Sequence, residues 1–285
     1  MNPVLRILPA YSVDMGGIPI WQPLPTQAVD QIDPFLLLHH HSSVVKPGSD
    51  PYNSGVGPHP HRGFSPVTFI YQGDVHHRDS RGNSSVVKAG GLQWCDMGMG
   101  MVHSERPSAA LCEQGGPQEI IQLWVNTPAA HKMDAPVYIA LQAADMPSLP
   151  GHPQARLASG QQCGIEGPLK SAYPIQAAFG DLEAGVVLEL AAAEQEQSFL
   201  YILAGSGRIE GHGLVEAQDL VQLKPGAFRL FPADSMRFLW VSAKPIAERV
   251  ESYGPFVMTN QSEIMAAMRD YQMGKMGFLV ERDMA

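Results

Sequence analysis

Two pairs of residues stand out for the chemistry they could do: His59-x-His61 and His103-x-Glu105, each with spacing two. On a β-strand, residues i and i+2 point to the same face, roughly 7 Å apart. Two such strands side by side would aim three imidazoles and one carboxylate at a common point, which is a metal site. A donor set of three nitrogens and one oxygen without a thiolate suits Fe(II), Mn(II), Ni(II), Co(II) or Cu(II) better than a closed structural zinc. Four protein ligands leave an octahedral ion two open positions, which implies chemistry or exogenous ligands rather than a structural staple.

A lone His-x-His is a weak signal. The stretch Gly98-x-Gly100-x-x-His103-x-Glu105 strengthens it, because its glycines supply a turn that could bring a second strand back to the first. Gly73, Gly82, Gly90 and Gly91 are spaced like hairpin turns between the two pairs.

The surrounding segments carry a family resemblance. His-Pro-His-Arg-Gly-Phe at 59–64, His-Arg-Asp-Ser at 77–80, Gly-Gly-Leu-Gln-Trp at 90–94 and Gly-x-Gly-x-x-His-Ser-Glu at 98–105 resemble the signature of the pirins, a branch of the cupin superfamily. Gln122-Leu-Trp-Val-Asn126, Tyr253-Gly-Pro-Phe-Val-Met258 and the 270–277 stretch extend the likeness over most of the chain. The resemblance implies two tandem cupin barrels with iron, Fe(II), held only in the N-terminal one. The implied ligands fall on His59, His61, His103 and Glu105. It implies two activities: quercetin 2,3-dioxygenase chemistry, which opens a flavonol ring with Glu105 as catalytic base, or redox-responsive regulation through a protein partner. A barrel in which the metal merely stabilises the fold is the third alternative, and no fifth ligand supports it.

Two positions depart from the family pattern. Ser65 stands where many pirins have glutamate, and Met99, within Cys95–Met101, stands where an arginine is usual. The ligand set is expected to survive the first change; the second bears on substrate preference.

The elements that must position these residues are strands. Gly (28) and Pro (24) are plentiful, as many turns between short strands require, and 45% hydrophobic with 16% charged residues permits substantial cores. An all-β fold follows. The 285 residues suffice for two domains, expected at 1–140, binding the metal, and 141–285, lacking ligands, with the crossing in the Pro/Ala/Gly-rich stretch 127–167. Strands are expected at 4–8, 33–38, 66–71 and 119–126, then at 185–190, 198–203, 228–231 and 236–241. In 119–126, Ile121, Leu123 and Val125 form a core face, while Ile120, Gln122 and Trp124 could line the metal pocket. A helix is expected from Asn260 or Ser262, with Ile264, Met268 and Tyr271 on its packed face.

The remaining histidines read more plainly. At most His39 and His41 could share a strand face, and nearby sequence offers them no further ligands. His77 reads as support for the metal site rather than a ligand, and His131, His152 and His212 as solvated.

A net charge of −9 and the lack of a Lys/Arg run argue against nucleic-acid binding. Cys95, Cys112 and Cys163 fit no disulfide framework or thiolate metal motif, which suits a reducing compartment. Without a signal-like or membrane-length apolar run, the expected location is cytoplasmic, and the expected partner is a small aromatic molecule such as a flavonol.

Overall fold

The computed structural model describes residues 2–281. The chain forms two compact units, each assembled from two pieces of sequence. Residues up to His41 join Ala143–Pro245, and Ser42–Gln142 joins the segment from Ile246 onward. The chain therefore changes unit after Gln142, near the expected crossing, but also after His41 and after Pro245, unlike the continuous halves 1–140 and 141–285. Local composition cannot reveal this exchange, because strand pairing depends on partners far away in sequence.

In the unit containing 143–245, a seven-stranded sheet runs Val4–Pro9, Asp219–Leu223, Gln197–Ala204, Met236–Ala243, Gln176–Leu182, His152–Ser159, Ser148–Leu149. The second sheet runs Leu188–Ala192, Gly226–Pro232, Ser206–Ile209, Gly213–Glu216. Inward residues of both sheets, among them Leu188, Leu190, Leu200, Ile209, Phe238 and Trp240, form one apolar core. Leu188–Ala192 alternates buried and exposed, as a strand with one wet face must. Five expected strands appear here with slightly different bounds, whereas Gln176–Leu182 and His152–Ser159 lie outside the expected set.

The other unit repeats the two-sheet plan. One sheet includes, in order, Val137–Leu141, Leu92–Asp96, Phe64–Gln72 and Gly116–Asn126; the other runs Val56–His61, Met101–Arg106, Asp74–Asp79, Ser84–Lys88. Phe64–Gln72 is buried on both faces except at its last residue. A short helix, Ala109–Gln114, capped by the Ser108 hydroxyl, was not expected from the sequence. Near the end of the chain, Glu251–Tyr253 and Phe256–Met258 form a hairpin, and Phe256 bridges to Arg62.

The helix Gln261–Gln272 starts at Asn260, whose side chain accepts from the Glu263 amide, while Glu263 Oε2 accepts from the Thr259 amide: a capping box displaced by one residue. Ile264 and Ala267 are buried and Met268 is half-buried, packed with Val102 of a site strand. Tyr271, expected on that face, is 41% exposed. Among the described residues no helix is long and apolar enough to cross a membrane.

Candidate metal centre

Three neighbouring strands carry the histidines. Met101–Arg106 pairs antiparallel with Val56–His61, setting His103 opposite His59 and Met101 opposite His61. On its other side it pairs with Asp74–Asp79, setting His103 opposite Asp79 and Glu105 opposite His77. The ring centres of His59, His61 and His103 are 4.4–5.1 Å apart, and one ligand nitrogen from each lies within 4.8 Å of the others. These are the three imidazoles that the spacing-two reading brings together.

Backbone carbonyls fix two of the rings. His59 Nδ1 donates to Gly57 O at 2.8 Å and His61 Nδ1 to Pro255 O at 3.1 Å. A carbonyl only accepts, so each Nδ1 carries a proton, which in the neutral ring leaves the lone pair on Nε2. His103 is fully buried, and neither ring nitrogen has a hydrogen-bond partner among the described residues. Burial pushes His61 down to about 3, with the nearby His59 adding to the effect and the Pro255 carbonyl opposing it. Burial, and then His59, His61 and His77, hold His103 well below the usual imidazole range. Converging imidazoles with orphaned buried nitrogens fit a cation: an ion satisfies lone pairs that would otherwise cost about 1–3 kcal/mol each.

Glu105 is held by a different set of partners. A bulge between His103 and Glu105 sets Glu105 opposite Val56, and its carboxylate is absent from the 4.8 Å cluster. Its Oε1 accepts from Thr68 Oγ1 at 2.6 Å and from Gln93 Nε2, and its Oε2 accepts from Gln122 Nε2 at 2.7 Å. Thr68 and Gln93 escaped the sequence reading; Gln93 belonged to the quoted 90–94 motif, whose spacing gave no hint of its partner. Gln122 lies on the half-buried face assigned to it, whereas Ile121, Leu123 and Val125 are fully buried.

Aromatic rings wall the cluster. His61 lies 5.0 Å from Phe64 and 5.3 Å from Trp124, and those two rings are 4.2 Å apart. Ser65 donates to Asp96 Oδ1 at 2.6 Å, an acceptor it shares with Trp94 Nε1. The side chain of Met99 is exposed, while its carbonyl accepts from Arg62 Nε at 2.7 Å.

The other histidines are engaged elsewhere. His39 bonds Gln22 at 2.9 Å, His40 bonds Tyr201 at 3.0 Å, and His41 bonds the Pro19 carbonyl at 3.0 Å. His131 and His212 are exposed, but His152 is only 5% exposed and bonds the Val187 carbonyl, contrary to the expectation of a solvated ring. Its place at the start of a strand that could not be read from sequence explains the difference.

Comparison with known proteins matches residues 18–125 to the Pirin family model and 178–277 to the Pirin C-terminal cupin domain. Pirin-1 of Arabidopsis thaliana is 32% identical over 260 residues, covering 88% of this chain and 86% of that protein. A pirin-like protein of Caulobacter vibrioides is 33% identical over 282 residues, covering 96% and 99%. The crystal structure of a quercetin 2,3-dioxygenase from Acinetobacter baumannii superposes with a TM-score of 0.89 at 32% identity, covering 98% of this chain and 100% of that one.

Proposed function

The chain belongs to the pirin family, with the all-β, two-cupin fold of its members, and from that premise we propose that it is a metal-dependent dioxygenase opening the ring of a flavonol. His59, His61, His103 and Glu105 hold the metal in this reading, with iron(II) the ion the family implies and Mn, Ni, Co or Cu as substitutes. The observation that carries it is the trio of imidazoles within 4.8 Å, two of them oriented by backbone carbonyls. The likeness to the Acinetobacter enzyme over nearly the whole chain supports the substrate class.

Bound iron would supply Lewis-acid activation of the substrate's oxygens and a redox centre for dioxygen. The chain's own residues do the rest. Glu105 Oε2 accepts one hydrogen bond, from Gln122, and so keeps one lone pair, which can serve the metal or the proton of the flavonol 3-hydroxyl, one at a time. Thr68 and Gln93 hold Oε1 and fix the carboxylate's orientation. Half-buried Trp124, beside His61 and backed by the fully buried Phe64, offers aromatic surface for a flat polycyclic substrate and excludes water.

The test is anaerobic loading with Fe(II), then quercetin and oxygen, with flavonol absorbance and product mass followed in wild type and in His103→Ala. Metal-dependent loss of flavonol, absent in the variant, supports the reading. A loaded protein that leaves quercetin and related flavonols untouched overturns it and favours the regulatory alternative.

A further inference from the structure

His103 belongs to a second cluster. One ligand atom each from His77, Cys95 and His103 lie within 4.8 Å of one another, and all three residues are buried to within 1% of completely. His77 Nε2 lies 3.0 Å from Asp79 Oδ2, while His77 Nδ1 is buried with no hydrogen-bond partner among the described residues. Asp79 is itself fixed by the Arg81 and Asn83 amides at 2.8 and 3.0 Å and by Asn83 Nδ2 at 2.7 Å. A carboxylate on one imidazole nitrogen leaves the lone pair on the other and sets the ring's direction, as behind many metal-binding histidines. Tyr138 stacks on the His77 ring at 3.9 Å and 9°, closing its face.

We propose that His77, Cys95 and His103 form a second metal site, selective for a thiophilic cation such as zinc or copper, that competes with the His59, His61, His103 set for the shared imidazole. Two nitrogens and one thiolate are a softer donor set than three nitrogens and a carboxylate, so the two sets select different ions. Met97 and Met101 pack against Cys95, surrounding the thiol with polarisable thioethers. Exclusivity follows from chemistry: a neutral imidazole offers one lone-pair nitrogen, so His103 serves one ion at a time. Burial, followed by the charges of Glu105, Asp79 and Asp96, keeps the metal-free Cys95 a thiol. Binding forms the metal–sulfur bond and releases the thiol proton to solvent, with no change of oxidation state. This site stands independently of the dioxygenase reading.

The experiment is anaerobic titration of the metal-free full chain with Co(II), in a Cys163→Ser background that removes the exposed thiol, reading thiolate-to-metal charge-transfer absorption. The expected result is a band at saturation that disappears in Cys95→Ser and in Cys95→Ala, persists in His59→Ala/His61→Ala, and needs roughly tenfold more Co(II) in Asp79→Asn. Circular dichroism matching wild type in each variant separates ligand loss from misfolding, and Cys95→Ala serves where the serine perturbs folding. No charge-transfer band in the Cys163→Ser protein, or a band that survives in a folded Cys95 variant, overturns the proposal. If flavonol turnover fails while the band behaves as expected, the dioxygenase reading falls and this one stands.

Discussion

Gln122 Nε2 donates to Glu105 Oε2 at 2.7 Å, joining the Gly116–Asn126 strand of one sheet to the Met101–Arg106 strand of the other across the barrel interior. That bond leaves one carboxylate oxygen a single protein donor, while Thr68 and Gln93 serve the other. Gln122→Leu should therefore lower iron affinity or flavonol turnover by about 10–100-fold, the range typical for groups that orient a metal ligand. Isothermal titration and steady-state kinetics check this, with far-ultraviolet circular dichroism expected to be unchanged.

His61 makes the metal-free protein acid-sensitive. The unfolded side chain titrates near 6.5, whereas burial holds the folded one at about 3. Between these values the unfolded state binds a proton that the folded state does not, so unfolding free energy falls as pH drops. The loss is at most about 1.4 kcal/mol per pH unit; above 6.5 the group contributes nothing. His39, lowered by burial to about 4 but only half-buried, adds a smaller loss of the same sign. Urea denaturation at about pH 7.5 and about pH 5 should show lower stability at the acid value, with a shallower decline in His61→Asn.

Lys132 is a buried cation held by oxygens alone. Its Nζ donates to Gly63 O at 2.6 Å, Asn126 Oδ1 at 2.7 Å and Val257 O at 3.2 Å, and burial lowers its pKa to about 8. Lys132→Met leaves three buried acceptors without this donor and should cost about 2–4 kcal/mol, measurable as a lower denaturation midpoint with an unchanged m-value.

Gly63 has φ +84°, and a Cβ there would collide with the Val257 carbonyl. Gly63→Ala would have to push the Phe256–Met258 strand away from the residues just after His61. The left-handed backbone alone costs about 1–2 kcal/mol, and the collision adds to it. Thermal unfolding should shift down by several degrees, accompanied by weaker metal uptake, because Pro255 next to that strand anchors the His61 ring.

Much of the site is legible in the sequence because a strand's period of two is a local rule: it pairs His59 with His61 and places Gln122 and Trp124 on one face. The bulge between His103 and Glu105, which sets Glu105 opposite Val56, leaves no such mark, because it reflects pairing with a distant strand. For the same reason the His77–Asp79 pair could be read only as vague support, and Thr68 and Gln93 passed unnoticed. The expected core strands of the later unit were found because long apolar runs announce themselves. His152–Ser159, hidden in a Pro/Ala/Gly-rich stretch, shows that composition conceals a strand whose burial comes from neighbours.

The bond from His61 Nδ1 to Pro255 O spans 194 residues. During synthesis, the second ring of the first histidine pair must wait for that carbonyl until nine-tenths of the 285-residue chain has left the ribosome. The imidazole cluster is thus finished late, and under the proposed function metal loading follows translation rather than accompanying it. Nascent chains stalled before residue 255 should emerge without the fully oriented cluster, whatever ions the surrounding medium holds.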